Sequence, residues 1–548
     1  MLKRFMVAAV LTALVGSLVL PALAQEKIEQ EEIEVALDQK ILVVDPAYKA
    51  EIIEKIEKEL GGTVIFEYEH IPELLAIKID PVRAEKLKDF VGVEGIYADA
   101  KMKLPKPIRE GAFRRPGWDP RQPKPKALEI TSGGDWGCDR IDCEEVWFQG
   151  VNRVLLPRAQ APEPRQVAWV AGIGLLLAGG LAFRRSRKGF LILLVLTIPL
   201  ALNSCVGAIS PIKLGDGVLV AVMDTGVDPS HPDIDENINW ALSTPINVGA
   251  YDNTCTTDPG GRPCDAPWDD YYGHGTFIAG IIAAEFKNLS DAPEKFKKIG
   301  VAPKAKIVSL KVFPNSYESV IIQGFNEAIA RGIDVINMSF GYGPQARTAL
   351  DDSGTLPYFR CDLKGTPDDP VDPPLEVAID AALAAGIVLV AAAGNDGVNI
   401  GTGGQAVTPA SCKGVIAVGA TDSSDRRAFF SNYGTDVDIT APGEFVWSLC
   451  ETSGFGDICW NAYGWGMANP LFQPDSGTSF STPYVVGAAA LLLSNGVAPA
   501  SVLPRLQSTA DCVVHPNPGT DALPGAGTVP ECLLDVEEAV LGTQNGDN

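Results

Sequence analysis

Between residues 217 and 420 the chain returns again and again to short, nearly unbroken apolar runs rich in Val and Ile: GVLVAVM (217–223), KIVSLKV (306–312), IDVINMSF (333–340), GIVLVAAAG (386–394) and GVIAVGA (414–420). Runs of this length without polar alternation predict strands covered on both faces. Amphipathic stretches such as GFNEAIARG and EVAIDAALAAG lie between them. Strands alternating with helices predict an α/β domain: a doubly wound, mostly parallel sheet with helices on both faces, whose functional groups gather at the carboxyl ends of the strands. A different rhythm precedes it. Residues 33–103 read as EVALDQKILVV, a helical AEIIEKIEKEL stopped at Gly61 and Gly62, then TVIFEYEH, LLAIKID, a helical PVRAEKLKDF and GVEGIYAD. This order predicts a small α+β unit of ferredoxin-like shape.

Three segments fit neither pattern. Residues 1–24 pass from Lys3 and Arg4 through an apolar run to Ala22 and Ala24, the layout of an export signal removed after Ala24. Residues 104–132 are rich in Pro, Arg and Lys with no apolar period, which predicts an exposed linker. The insertion at 152–213 holds two apolar runs, 167–183 and 190–209, around the basic RRSRKG. A spanning helix needs about 20 residues, so the pair reads as a candidate transmembrane hairpin that interrupts a second domain at 133–543, with both flanks on the outer side. A surface insertion is the competing expectation.

Composition narrows the function. The 548 residues carry 45 Lys plus Arg against 69 Asp plus Glu, a net charge of −24, which excludes the basic surface a nucleic-acid binder needs. The 11 cysteines suit an oxidising compartment and fall into neighbouring pairs: Cys138 with Cys143, Cys255 with Cys264, Cys450 with Cys459, Cys512 with Cys532 and Cys361 with Cys412, leaving Cys205. Location outside the cell or in its envelope is therefore expected. With four histidines, at 70, 231, 274 and 515, an imidazole base has few candidates.

Candidate chemistry sits at strand exits and helix starts. Asp224 ends the first apolar run in VLVAVMDTGVD, His274 stands between two glycines in YGHGTFIAG, and Ser479 precedes an apolar helix in DSGTSFSTPYVV. Taken singly, each suits a turn or helix cap. Together, DTGVD, GHGT and GTSFSTP in the order Asp, His, Ser resemble the subtilase family of serine proteases, the peptidase S8 type. The resemblance spans roughly 136–151 and 214–543, and residues 33–103 resemble the family's inhibitory propeptide.

Residue by residue, the resemblance implies Asp224 as the orienting carboxylate, His274 as the base, Ser479 as the nucleophile and Asn395, in AAAGND, as the oxyanion donor. It implies that Ser339, Phe340 and Gly341 on one side, and Ala393 and Gly394 on the other, flank an extended protein or peptide substrate. No cofactor is implied for catalysis. Structural Ca²⁺ is implied by Asp233 in HPDI, although the KNLSDAPEKFKK loop departs from the family pattern. The expected protein is an exported or envelope-associated serine endopeptidase that matures by cutting away its own propeptide, which meanwhile inhibits it, with candidate membrane insertion through 167–209. The alternative is a catalytically inert binding or scaffold protein on the same fold.

Overall fold

The computed structural model describes residues 35–104, 212–246, 253–257, 263–285, 299–346, 361–365, 372–401, 405–452, 472–512 and 532–541. The expected export signal, most of the linker, the hairpin at 167–183 and 190–209, Cys138, Cys143 and Cys205 lie outside these residues. Among the described residues no helix is long and apolar enough to cross a membrane.

Residues 35–100 build one antiparallel sheet. Its strands are β1 (Val35–Val44), β2 (Thr63–Glu67), β3 (Leu74–Lys78) and β4 (Val93–Ala100), in the spatial order β2, β3, β1, β4. Helix α1 (Lys49–Lys55) joins β1 to β2, and the short α2 (Pro81–Ala84) leads toward β4. Asp80 starts α2 by accepting from the Val82 and Arg83 N–H groups, with Pro81 supplying a preset first turn. The alternating apolar positions Leu42, Val44, Leu75 and Ile77 close over Ile52, Ile56 and Leu87.

The larger domain is organised on nine strands. In chain order they are β5 (Leu219–Asp224), β6 (Thr244–Pro245), β7 (Lys306–Lys311), β8 (Val335–Met338), β9 (Val388–Ala392), β10 (Val415–Thr421), β11 (Ile439–Pro442) and, beyond a separate ribbon of β12 (Val446–Leu449) and β13 (Phe472–Asp475), β14 (Asp511–Cys512) and β15 (Cys532–Leu533). The sheet order is β14, β15, β11, β10, β9, β8, β5, β7, β6. Every described pairing in it is parallel except β14 with β15 at the edge.

Alternate residues of β5 serve the two faces, as the strand's period of two requires. Val220 and Val222 join the core formed by α3 (His274–Ala283) and α6 (Thr478–Ser494), whereas Met223 lies against Gly324 of α4 (Glu318–Ala330). Helix α5 (Pro374–Ala384) packs beside α4. Helix α6 is buried on nearly every side, from Thr478 to Leu492, so its sequence is apolar all round rather than striped. The chain runs from β5 to β7 on one side and then to β8 on the other, making the carboxyl end of β5 a topological switch point, where ligands of open α/β sheets collect.

The expected disulfides Cys255–Cys264 and Cys361–Cys412 are formed. Cys450 and Cys532 are also disulfide-bonded, and Cys532 stands directly opposite Cys512 in the ladder.

Candidate active site

Asp224 is the last residue of β5 and is fully buried. Its Oδ1 accepts from the Thr225 N–H at 2.7 Å and from His274 Nδ1 at 2.8 Å. The second bond fixes the tautomer, with the proton on Nδ1 and a lone pair on Nε2. His274 opens α3, and its position is set by Asp270. That carboxylate accepts from the Tyr272, Gly273 and Thr276 N–H groups and from the Thr276 hydroxyl, satisfying first-turn donors that would otherwise be orphaned. The Thr225 hydroxyl takes the Gly275 N–H at 3.0 Å and ties helix to strand. Gly275 has to be glycine, because a Cβ there would lie 2.0 Å from the Gly226 carbonyl oxygen.

Burial disfavours the charged imidazole of His274, but the charge and hydrogen bond of Asp224 oppose it, helped by Asp270 and Asp475. The net result is a pKa raised above the ordinary 6.5.

Ser479 is the second residue of α6, beside α3, and the Phe480 ring lies tilted against its neighbours, 5.5 Å from His274 and 4.5 Å from Phe277, centroid to centroid. The Ser479 hydroxyl donates to the Ser339 carbonyl at 3.4 Å, and its backbone N–H has no partner among the described residues. Pro483, four residues on, cannot donate to the Ser479 carbonyl as an ordinary helix residue would. The Ser339 hydroxyl does so instead at 2.8 Å, itself accepting from Asn337 Nδ2 at 3.0 Å.

Asn395 follows β9. Its Oδ1 accepts from the Thr478 N–H at 2.9 Å and the Thr478 hydroxyl at 2.8 Å, which leaves Nδ2 as a donor beside Gly477. Asp224, His274, Ser479 and Asn395 thus come together around the carboxyl ends of β5 and β9 and the head of α6.

The residues expected to flank an extended ligand divide into two behaviours. Gly341 forms an antiparallel bridge with Lys103, its N–H donating to the Lys103 carbonyl at 3.2 Å. On the other side of the same segment, Met102 donates to the Ser316 carbonyl at 2.6 Å and Lys101 bridges Tyr317. The chain's own residues 101–103 therefore lie as a strand between two edges. Phe340 is buried, its ring edge-on to that of Phe313. Ala393 and Gly394 depart from expectation: their N–H groups go to Val418 and Thr478, and their carbonyls accept from Asn432, so their backbone is spent inside the domain. Motif matching had no means of showing that Asn432 competes for them.

Asp233 is the remaining expected residue. Among the described residues no group of three or more His, Cys, Asp or Glu side chains could hold a metal ion, so Asp233 has no such company there. Most of the KNLSDAPEKFKK loop lies outside the described residues. Three residues of the site went unread in the sequence. Thr478 stands inside GTSFSTP and Asp270 shortly before GHGT, yet neither was given a role; Asp475, at the end of β13, acts on His274 from a strand whose local sequence carries no signal.

A parallel α/β sheet with a carboxylate and imidazole paired at its switch point, and a serine at the head of the adjoining helix, defines a class of proteins organised for nucleophilic chemistry. The family is set by the whole domain: residues 215–527 match the subtilase family model, and the chain belongs to that family. It is 35% identical to subtilisin NAT from Bacillus subtilis subsp. natto over 301 residues, covering 54% of this chain and 61% of that protein. Thermitase from Thermoactinomyces vulgaris is 30% identical over 303 residues, 54% of this chain and 82% of the relative. The chain thus spans about three fifths of the length of the first of these relatives. Among solved structures, fervidolysin from Fervidobacterium pennivorans, a keratinolytic enzyme related to subtilisin, superposes with a TM-score of 0.55 at 21% identity, over 94% of this chain and 62% of that one. The epidermin leader peptide processing serine protease from Staphylococcus aureus gives 0.55 at 18%, over 92% and 98%. At these identities the likeness is one of fold.

Proposed function

We propose that the chain is a serine endopeptidase held latent by its own residues 33–103. The observation that carries the reading is the buried 2.8 Å Asp224–His274 bond at the switch point, with Ser479 on the adjoining helix head. A serine hydroxyl is a weak nucleophile at neutral pH. As Ser479 Oγ turns from the Ser339 carbonyl and attacks the scissile carbonyl carbon, its proton passes to His274 Nε2. Asp224 stays ionised, keeps the ring oriented and stabilises the imidazolium. The carbonyl oxygen gains negative charge, which Asn395 Nδ2 and the Ser479 N–H stabilise by donating to it. Collapse breaks the C–N bond, His274 hands the proton to the leaving amine, and water, activated by the same imidazole, hydrolyses the acyl-enzyme.

The inhibitory reading of 33–103 is supported by residues 101–103, which add a strand where an extended substrate would add one. Tyr68 donates to the Ser319 carbonyl at 3.1 Å and Asn326 Oδ1 accepts from the His70 N–H at 2.8 Å, so the sheet β1–β4 docks on α4. The disulfides support export into an oxidising compartment.

The test is labelling of the matured protein with a fluorophosphonate probe, alongside Ser479→Ala. Label on Ser479 and loss of both peptide cleavage and precursor processing in the variant are expected. Properly folded, processed protein that takes no label would make the inert scaffold the correct reading.

A further inference from the structure

Asp475 ends β13, four residues before Ser479, and has no part in the mechanism above. Its backbone is held on both sides. Val446 of β12 pairs with it across the ribbon, its Oδ1 accepts from the Ser476 N–H at 2.7 Å, and the next two residues are fixed by the Phe445 N–H on Ser476 Oγ (2.9 Å) and the Gly477 N–H on the Gly443 carbonyl (2.8 Å). Its Oδ2 has no hydrogen-bond partner among the described residues, and the side chain is only partly buried.

The ribbon lies on the His274 side of Ser479: Ser448 of β12 donates to the Phe277 carbonyl of α3 at 2.6 Å. The acyl side is elsewhere, marked by the Ser339 carbonyl 3.4 Å from Ser479 Oγ and by Gly341 paired with Lys103. In the proposed mechanism the imidazole delivers its proton to the leaving amine, so the group flanking the imidazole away from Ser339 and Gly341 flanks the departing half of the substrate.

We propose that Asp475 is a specificity residue on the leaving-group side, which selects peptides carrying Lys or Arg immediately after the cleaved bond. The inference rests on the protease reading of the same site. The chain supplies complementary charge of its own: beyond the docked strand the sequence continues with Lys106, Arg109, Arg114 and Arg115, on the side that would depart in self-cleavage. Desolvation pushes the Asp475 carboxyl up to about 7, opposed by the Ser476 N–H bond and by His274, the titratable group acting on it; His274 is faced in turn by Asp224 and Asp270. The carboxylate is therefore charged at alkaline pH and neutral under mild acid. An incoming cation would be drawn to it only in the first condition.

The experiment uses the self-matured full-length protein and internally quenched peptides that differ only in the residue after the scissile bond: Lys, Arg, Leu or Glu. Within each enzyme the ratio of kcat/KM values is compared, so changes common to all substrates cancel. At pH 8.5 the wild type is expected to favour Lys and Arg over Leu by about fivefold, the scale of a partly exposed ion pair, and the preference should shrink at pH 6. Asp475→Asn should bring the ratio to about one, and Asp475→Lys should turn it toward Glu. Equal turnover of Lys and Leu peptides by the wild type, or an unchanged ratio in both variants, would overturn the proposal while leaving the protease reading intact. Absence of both cleavage and fluorophosphonate labelling would instead remove the protease reading and this proposal with it.

Discussion

Asp99, at the end of β4, offers a quantitative test of how the small domain holds the large one. Its carboxylate is buried and accepts from the Ser319 N–H at 3.0 Å and the Ser319 hydroxyl at 2.5 Å. Ser319 is the second residue of α4, so the first bond satisfies a donor that α4 cannot satisfy itself, and the negative charge meets the positive end of the helix dipole. A charge-assisted bond of this kind is worth about 1.5–3 kcal/mol. Removing the carboxylate in Asp99→Ala should cost about 2 kcal/mol of docking energy, which on the proposed reading is about 30-fold in the inhibition constant of the cleaved 33–103 segment for the matured enzyme. Asp99→Asn retains an acceptor and should cost about 1 kcal/mol, or about fivefold. The assay is progress-curve inhibition of peptide hydrolysis at fixed ionic strength. Ser319→Ala removes only the hydroxyl bond, and combined with Asp99→Ala it should add less than its own effect, because the two side chains share one interaction. Inhibition by Asp99→Ala propeptide within twofold of wild type, or strict additivity of the pair, would refute the capping argument.

The remaining expectations concern the catalytic centre. Loss of an oxyanion donor in a subtilisin costs about 100- to 1000-fold in kcat; on the proposed mechanism Asn395→Ala should show the same order with KM little changed, measured by steady-state kinetics. Because the His274 pKa is raised above 6.5 and the base must be neutral, activity should fall as pH drops through that raised value, placing the acid limb of the kcat/KM profile above pH 6.5. Ser339→Ala leaves the Ser479 carbonyl without a donor opposite Pro483 and should lower stability by about 1–3 kcal/mol in denaturant unfolding; adding Pro483→Ala, which restores an N–H four residues on, should recover part of the loss.

The sequence made the sheet legible because its central strands are covered on both faces and their Val and Ile runs have few other structural uses. The two-residue edge strands Asp511–Cys512 and Cys532–Leu533 carry no period long enough to see. Asp224, His274 and Ser479 could be picked out because each stands in a short distinctive word, DTGVD, GHGT or GTSFSTP, at a strand exit or helix start. What escaped were relations set by tertiary proximity alone. Asn432 claims the carbonyls of Ala393 and Gly394, Ser339 supplies the bond Pro483 withholds, and Asp475 acts on His274 from the end of β13. None of these pairs is near in sequence, so no local pattern encodes them.

The burial of α6 on nearly all sides bears on the life of the newly made chain. On the proposed reading, the attacking hydroxyl rides on the last element that a half-assembled molecule could hold in register, since α6 has no environment until the sheet around it exists. A newly made polypeptide is thus chemically silent on that reading, and because residues 101–103 still occupy the edge at Gly341 in the folded precursor, the hazard of a protease to the cell that makes it begins only after folding and release of that strand.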